Sequence, residues 1–319
     1  MKDGRTAAPS AARKWLTAAR PWALPASTMP VIFGTSLAVV MGGARLDALR
    51  FILALLAMMI LHSAANMLSD VFDFRHGLDS DVTPVSGAIV RGWLSGRQVA
   101  AASAVLFAAG SAIGIWLAAM TGPVLLYIGA AGVAVGVFYT FFKSRALGDL
   151  AVFLDFGILG ALGAWVVQTG SFSWLPMVWT VPTAMLVIAI LHANNWRDSV
   201  SDSGLKVYTM AYRLGDRGSL VYYGFLLFGS MGLIIAFVVL PRPVALPLPP
   251  LPPAFLIVLA ALPRALVLWK RALRRHAPEK PMDFVILDGA TASYNLIFGL
   301  LCTAALWLHA GLEALGVLR

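Results

Sequence analysis

The sequence has few charged residues, almost no glutamate and almost no cysteine. Charged side chains make up 12% of the 319 residues, whereas soluble domains carry roughly a quarter; this excludes an ordinary soluble globular protein. Of the 15 acidic residues only two are glutamate, so any acidic chemistry depends on aspartate. The single cysteine, Cys302, rules out an internal disulfide, and its apolar surroundings indicate a small core residue.

Long apolar runs make up most of the sequence. Hydrophobic residues form 60% of the chain, in runs near the ~20 residues that span a bilayer. The predicted fold class is therefore all-α and polytopic, with nine transmembrane helices around a central cavity. Their ranges are 21–43, 50–69, 98–118, 122–142, 147–168, 174–196, 218–240, 252–270 and 286–309. We interpret 1–20 as a basic cytoplasmic segment, not a cleavable signal peptide, and 21–319 as one transmembrane domain.

The distribution of lysine and arginine predicts the orientation. Of the 24 basic residues, 20 fall in one set of loops and 4 in the other. The positive-inside rule places the first set, with the N-terminus, in the cytoplasm. Because the net charge of +9 is spread between the spans, it indicates no nucleic-acid partner. We expect a multi-pass protein of the cell's inner (cytoplasmic) membrane with the lipid bilayer as a partner.

Two aspartate motifs end the second and sixth predicted spans. By helical spacing each motif shares one face of its helix: Asn66, Asp70 and Asp73 in the first, Asn194, Asp198 and Asp202 in the second. Aspartate and asparagine also occur as helix caps and in solvated loops. Those roles do not explain why the two motifs have similar spacing and lie at the ends of corresponding spans. A weak internal repeat, four helices apart, predicts that the motifs face each other across the cavity.

Aspartates at this spacing favour a hard cation that binds oxygen. Mg²⁺ uses one or two protein carboxylates and bridges to substrate phosphates, whereas Zn²⁺ would need histidine or cysteine clusters, and the five histidines are scattered. Basic residues lie beside the acids: Arg75, Arg91, Lys143, Arg197, Lys206 and Arg213. Carboxylates, Mg²⁺ and basic side chains together form a diphosphate clamp. Under a membrane cavity, the clamp predicts a polyprenyl diphosphate as substrate.

These residues resemble the motifs of the UbiA-type membrane prenyltransferases, which take forms such as N-x-x-x-D-x-x-D and D-x-x-x-D. Tyr139-Thr-Phe-Phe-Lys143 is similar to that family's Y-x-x-x-K. The resemblance implies Mg²⁺-dependent transfer of a prenyl group to an aromatic acceptor. It implies as catalytic residues Asp70, Asp73, Asp198, Asp202, Tyr139 and Lys143. It implies as metal ligands Asn66, Asp70, Asp73, Asp198 and Asp202.

Four stretches resemble one branch of that family, the 1,4-dihydroxy-2-naphthoate polyprenyltransferases of menaquinone biosynthesis. They are Arg20-Pro-Trp-Ala-Leu-Pro25, Asp73-Phe-Arg-His-Gly77-Leu-Asp79, Val166-Val-Gln168-Thr-Gly170, and Asn194-Asn-Trp-Arg197-Asp198 followed by Lys206, Thr209 and Arg213-Leu-Gly215. The resemblance implies substrate contacts from Asn66, Arg20, Asp79, Arg91, Lys143, Asn194, Asn195, Arg197, Lys206 and Arg213. In that reaction the allylic C–O bond breaks, a ring carbon attacks the allyl group, and the naphthoate carboxyl leaves as CO₂.

Several alternatives stay open at this point. The acceptor could be a 4-hydroxybenzoate, another dihydroxynaphthoate or a glycerol-phosphate-type alcohol. A cation-coupled transporter is disfavoured because its site would lie near the midplane rather than at the ends of spans, and a membrane scaffold leaves the motifs unexplained. Asp155 is a candidate to contact the acceptor, whereas the position of Asp288 indicates an interfacial or capping group. Phe138, Tyr139 and Phe142 are candidates to shield a cation.

Overall fold

The computed structural model describes residues 9–77, 87–202, 207–240, 249–275 and 284–317, with the backbone alone for 200–202. Regular secondary structure in these ranges is entirely helical, which confirms the predicted class. The helices are α1 (Ala11–Ala19), α2 (Pro25–Val40), α3 (Ala48–Arg75), α4 (Gly96–Thr121), α5 (Val124–Val137), α6 (Tyr139–Lys143), α7 (Gly148–Thr169), α8 (Leu175–Trp179), α9 (Val181–Asp202), α10 (Met210–Val239), α11 (Pro253–Ala272) and α12 (Leu287–Ala314).

Six of the described helices are long and apolar enough to cross a membrane, namely α3, α4, α7, α10, α11 and α12. The bent pair of α1 and α2 raises the number to seven, with an angle of 52° at the break between Ala23 and Pro25. Proline at the start of α2 suits such a break, because it cannot continue a preceding helix. All nine predicted runs contain helix, but the count of nine crossings and the cytoplasmic N-terminus stay predictions.

Helix α3 extends past the predicted end of its span. The apolar run stops near residue 69, yet the helix continues to Arg75, so Asp70 and Asp73 are helical residues. At its other end, the Asp47 side chain accepts a hydrogen bond from the Arg50 backbone N–H at 3.0 Å, an N-cap. Helix α9 likewise continues beyond its predicted end at residue 196. Both motifs therefore lie on helices rather than in loops.

Glycines allow α7 to pack closely against its neighbours. A Cβ atom on Gly34 of α2 would lie 2.4 Å from the carbonyl oxygen of Ala161 in α7. A Cβ atom on Gly157 of α7 would lie 2.4 Å from the Cβ of Ala184 in α9. Small residues at such crossings bring helix backbones together in membrane bundles. Helix α7 is thereby held between α2 and α9.

We expect Gly34→Ala to destabilise the fold by about 1–3 kcal/mol, because the added methyl group overpacks a backbone contact. Gly114→Ala in α4 is the matched control, since a Cβ there meets nothing within 4 Å and alanine favours helix over glycine. Thermal unfolding of both purified variants in one detergent measures the difference. Equal melting temperatures would contradict the close approach of α2 and α7.

Candidate active site

A cavity of about 750 Å³ opens among α1, α2, α3, α5, α6, α7, α9 and α12. Charged and amide side chains line its mouth, at the C-terminal ends of α3 and α9 and beside the start of α12. Deeper along the same helices the wall becomes apolar, with Val187, Ile190 and Leu191 on α9. The cavity therefore offers a polar binding site continuous with space for a lipid chain.

The first motif contributes Asn66 and Asp73 to the wall. Lys143 Nζ on α6 donates to Asp73 Oδ2 at 3.0 Å, and Ser69 Oγ donates to the same oxygen at 3.4 Å. The other carboxylate oxygen, Asp73 Oδ1, is buried with no hydrogen-bond partner among the described residues, as is Asn66 Nδ2. An unsatisfied buried acceptor is costly in a folded protein, so Asp73 Oδ1 has the character of a ligand position.

Asp70 lies at the edge of this face. It is 4% exposed, forms an ion pair with Arg20, and is absent from the cavity wall, although Arg20 lines it. Successive helical residues turn by about 100°, so Asp70 points about 60° away from Asp73. A Cβ atom on Gly87 would lie 2.6 Å from Asp70 Oδ2, so glycine there makes room for the carboxylate. Arg20 thus links Asp70 to the cavity.

The second motif forms an ion-pair cluster on the opposite wall. Arg197 holds Asp198 in a fork, with Nε to Oδ1 at 2.8 Å and Nη2 to Oδ2 at 3.0 Å. Its Nη1 donates to Asp288 Oδ2 on α12 at 2.9 Å, and Asn194 Nδ2 donates to the same atom at 3.2 Å. Asp288 lies in the first turn of α12, where its Oδ1 accepts from the Gly289 N–H at 2.8 Å, so the prediction of an interfacial or capping group covers one of its oxygens and the cluster accounts for the other. A carboxylate in the first turn of an apolar helix was the available signal.

A second arginine fixes the end of α9. Arg275 lies with its guanidinium carbon 5.4 Å from the Trp196 ring centre and 4.8 Å from that of Phe284. It forms an ion pair with Asp216 on α10, and Arg275 Nη2 donates to Ser199 Oγ at 3.1 Å. Burial lowers the pKa of Arg275, and the Asp216 carboxylate opposes that shift. These contacts hold the helical turn that carries Asp198 against its neighbours.

The other candidate residues separate into those in the cavity and those outside it. Tyr139 and Arg91 line the wall, and the Arg91 guanidinium lies 5.2 Å from the Trp93 ring centre. Asn195 is 2% exposed in the core, about 100° of helix rotation from Asn194, and Arg213 is exposed on α10. Neither lines the cavity, and neither do Phe138 and Phe142. Asp79, Lys206 and the side chain of Asp202 lie outside the described residues.

Sequence reasoning also missed His62, which lines the cavity one helical turn before Asn66. Its Nδ1 lies 2.8 Å from Ser27 Oγ, and its ring centre lies 4.4 Å from that of Phe156. Asp155, the neighbour of Phe156 in the chain, also lines the cavity. The spacing of His62 and Asn66 was the signal that could have identified this histidine.

The donor set fits a hard divalent cation that also binds a ligand phosphate. Within the ranges described, no group of three or more His, Cys, Asp or Glu side chains is placed to hold a metal. Mg²⁺ does not need such a group, because it commonly takes one or two protein carboxylates together with phosphates and water. Asp73, whose Oδ1 has no hydrogen-bond partner among the described residues, and Asp198 both line the cavity and fit this mode of binding.

Comparison with known proteins identifies relatives over most of the chain. A model described as the UbiA prenyltransferase family matches residues 27–289. The UbiA prenyltransferase domain-containing protein 1 homolog of Drosophila melanogaster is 32% identical over 317 residues, which is 96% of this chain and 83% of that protein. The Homo sapiens UbiA prenyltransferase domain-containing protein 1 is 30% identical over 292 residues, covering 90% and 81%.

Solved structures share the fold at low sequence identity. A UbiA homolog from Aeropyrum pernix K1, in its apo form, aligns with a TM-score of 0.63 and 17% identity over 89% of this chain and 97% of that one. A UbiA homolog from Archaeoglobus fulgidus, bound to DMAPP and Mg²⁺, aligns with a TM-score of 0.56 and 14% identity, covering 89% and 98%. The bundle is therefore of the same kind as these membrane proteins.

Proposed function

Because the chain belongs to the UbiA prenyltransferase family and is a prenyltransferase, we propose that it transfers a polyprenyl group from polyprenyl diphosphate to an aromatic acceptor. The first candidate acceptor is 1,4-dihydroxy-2-naphthoate, as in menaquinone biosynthesis. One observation carries the proposal: Asn66 and Asp73 from one motif line the same cavity as Asn194 and Asp198 from the other.

The choice of naphthoate depends on the branch-like stretches in the sequence. Residues of three of these stretches line the cavity: Arg20 in the first, Asp73 in the second, and Asn194, Arg197 and Asp198 in the fourth. The relatives reported above have names that specify no acceptor. Transfer to a 4-hydroxybenzoate or to another dihydroxynaphthoate would use the same clamp, so the acceptor is decided by assay.

The proposed metal ligands are Asn66, Asp70, Asp73, Asp198 and Asp202. The likeness to a homolog bound to DMAPP and Mg²⁺ supports this choice of cation. When bound, Mg²⁺ supplies positive charge to a diphosphate whose negative charge grows as the C–O bond breaks. Asp73 is placed for such binding because one of its oxygens already holds Lys143 while the other is unpartnered among the described residues.

The basic residues of the site now pair with its carboxylates. Arg20 holds Asp70, Lys143 holds Asp73, and Arg197 holds Asp198 and Asp288. We propose that these three cations use their remaining N–H groups to donate to the phosphate oxygens when substrate binds, because charge-assisted bonds to phosphate are strong. They then stabilise the diphosphate as a leaving group. Arg91 lines the same mouth and adds a fourth cation.

The remaining wall accounts for the rest of the substrate. The prenyl chain would lie along the apolar part of α9, at Val187, Ile190 and Leu191. Tyr139 lines the cavity, and its ring would stabilise a developing allyl cation. We propose a topology of nine spans in the inner membrane. The distribution of lysine and arginine favours a cytoplasmic N-terminus and a cavity mouth on the cytoplasmic side.

The test combines purified protein, Mg²⁺, radiolabelled geranylgeranyl diphosphate and a panel of acceptors. We expect a labelled product with 1,4-dihydroxy-2-naphthoate, and we expect EDTA to suppress it until excess Mg²⁺ is added. Product with only 4-hydroxybenzoate or another naphthoate isomer would move the proposal to that acceptor. No Mg²⁺-dependent transfer to any member of the panel would overturn it.

A further inference from the structure

Below its charged mouth, the cavity contains two polar side chains in apolar surroundings. His62 on α3 and Asp155 on α7 both line the wall, together with Phe156 and Val152. The Asp155 carboxyl group forms no hydrogen bond or ion pair with the part of the chain that the structure describes. A carboxyl group within a membrane-spanning helix is costly and usually serves a ligand or a pathway. A hydrogen-bond partner for the Asp155 carboxyl group would therefore come from a bound ligand, because the clamp residues do not supply one.

The hydrogen bonds of His62 determine what it offers to the cavity. We assign the His62 tautomer with the proton on Nδ1, in which Ser27 Oγ donates to the Leu24 carbonyl at 3.1 Å and accepts from Nδ1–H at 2.8 Å. A neutral imidazole protonated at Nδ1 has an acceptor lone pair at Nε2. His62 and Asp155 therefore both present hydrogen-bond acceptors.

The backbone around Asp155 leaves space for a ligand. Asp155 lies in a π-helical stretch, Phe153–Leu159, and such stretches often occur at functional sites. Across from it on α5, a Cβ atom on Gly132 would lie 3.0 Å from Asp155 Oδ1, and Gly136, one turn further, lines the cavity. Glycine at 132 thus makes room for the carboxyl group, and glycine at 136 adds no side chain to the cavity wall.

The location matches the position that an acceptor ring must occupy. Asp155 lies seven residues into α7, about 10 Å along the helix from Gly148. The start of α7 packs against α6, which carries Lys143 of the clamp. The reacting carbon of the prenyl chain is bonded to the diphosphate, so the acceptor ring must lie next to the clamp. His62 contacts Phe156, the neighbour of Asp155 in the chain, and both His62 and Asp155 line this part of the cavity.

We propose that Asp155 and His62 form a subsite that binds the hydroxyl groups of the acceptor ring. The inference rests on the proposed prenyl transfer and names its acceptor class: a phenol or hydroquinone-type ring, whose O–H groups donate to Asp155 and to His62 Nε2. Such hydrogen bonds fix the ring over the prenyl carbon. They also leave more electron density on the ring, which favours its attack on an allyl cation.

The test compares two acceptors, 1,4-dihydroxy-2-naphthoate and its 4-methyl ether, with wild type, Asp155→Leu, Asp155→Asn and His62→Phe. We expect wild type to prefer the free hydroxyl. We expect Asp155→Leu and His62→Phe to raise the acceptor KM by roughly 10-fold or more and to lose that preference, with the KM for geranylgeranyl diphosphate within about twofold. Asp155→Asn retains an acceptor oxygen and should be intermediate. Leu154→Ala, whose side chain is 40% exposed on the outer surface, is the control.

The outcomes separate this subsite from the proposed function. If wild type transfers the prenyl group and Asp155→Leu keeps both the wild-type acceptor KM and the preference for the hydroxyl, the subsite is wrong while the prenyl transfer stands. If wild type transfers to no acceptor, the proposed function fails and the subsite fails with it. A misfolded Asp155→Leu protein would lose activity for a reason unrelated to the subsite, so its melting temperature is measured. If it does not fold, the acceptor KM values of Asp155→Asn and His62→Phe test the subsite.

Discussion

Asp73→Asn is expected to lower kcat/KM for prenyl transfer by about 10³-fold or more. The substitution keeps the shape of the side chain and removes its negative charge. Asp73 Oδ1 is buried with no hydrogen-bond partner among the described residues, and Oδ2 holds Lys143 at 3.0 Å. An amide would be a weaker ligand for Mg²⁺ and would no longer set the position of the lysine. Initial rates at saturating Mg²⁺ measure the loss.

The matched control for Asp73→Asn lies on the same helix. Asp47→Asn, at the other end of α3, makes the same chemical change at an N-cap, where asparagine performs as well as aspartate. We expect wild-type turnover from Asp47→Asn and wild-type melting temperatures from both variants. An Asp73→Asn protein that folds and keeps more than about a tenth of wild-type activity would remove Asp73 from the metal site.

Arg197→Lys is expected to lower kcat/KM by about 10²-fold, although it preserves the charge. Arg197 forms a two-point fork with Asp198 and also bonds Asp288 and the Val285 carbonyl. A lysine is a single-point donor and cannot reproduce that planar geometry. The two carboxylates would then lose their fixed spacing at the mouth of the cavity. The measurement is kcat and KM for the prenyl diphosphate at fixed acceptor.

Arg213→Lys provides the comparison, because Arg213 is exposed on α10 and does not line the cavity. Arg213 belongs to the branch-like sequence pattern, so sequence and structure make opposite predictions for it. Activity near wild type in Arg213→Lys, with the loss confined to Arg197→Lys, would support the placement seen in the structure. Equal losses in the two variants would show that the fork geometry is not what matters.

The helical class and the meeting of the two motifs follow from patterns that a sequence displays. Apolar runs of spanning length predict helices, and aspartates at matched ends of two spans predict a shared site. The spacing of the motif residues could not predict which of them line the cavity. Asn66 and Asp73 line it but Asp70 and Asn195 do not, because the neighbouring helices decide where the wall ends.

The contribution of α12 was harder to predict for a different reason. Asp288 reaches the clamp only because α12 packs against α9, and the two segments are far apart in sequence. A single carboxylate near a helix start is compatible with a cap or an interface group, as well as with a site. His62 was also hard to identify, since a single histidine in an apolar run is compatible with a core residue and only its spacing from Asn66 pointed to the cavity. Only the tertiary contacts decide between these roles for Asp288 and for His62.

The π-helical stretch in α7 has a consequence for how enzymes of this architecture diverge. A π turn holds one residue more than an α turn, so deleting one residue within Phe153–Leu159 would let α7 become a regular helix. The helix on either side would keep its facing, because the π turn is what accommodates the extra residue, and the change would be confined to the turn that carries Asp155. The clamp residues of α3 and α9 would be untouched by that deletion. With Asp155 in the acceptor subsite proposed above, insertion or loss of one residue in this stretch would change the acceptor contacts and leave the chemistry at the diphosphate unchanged.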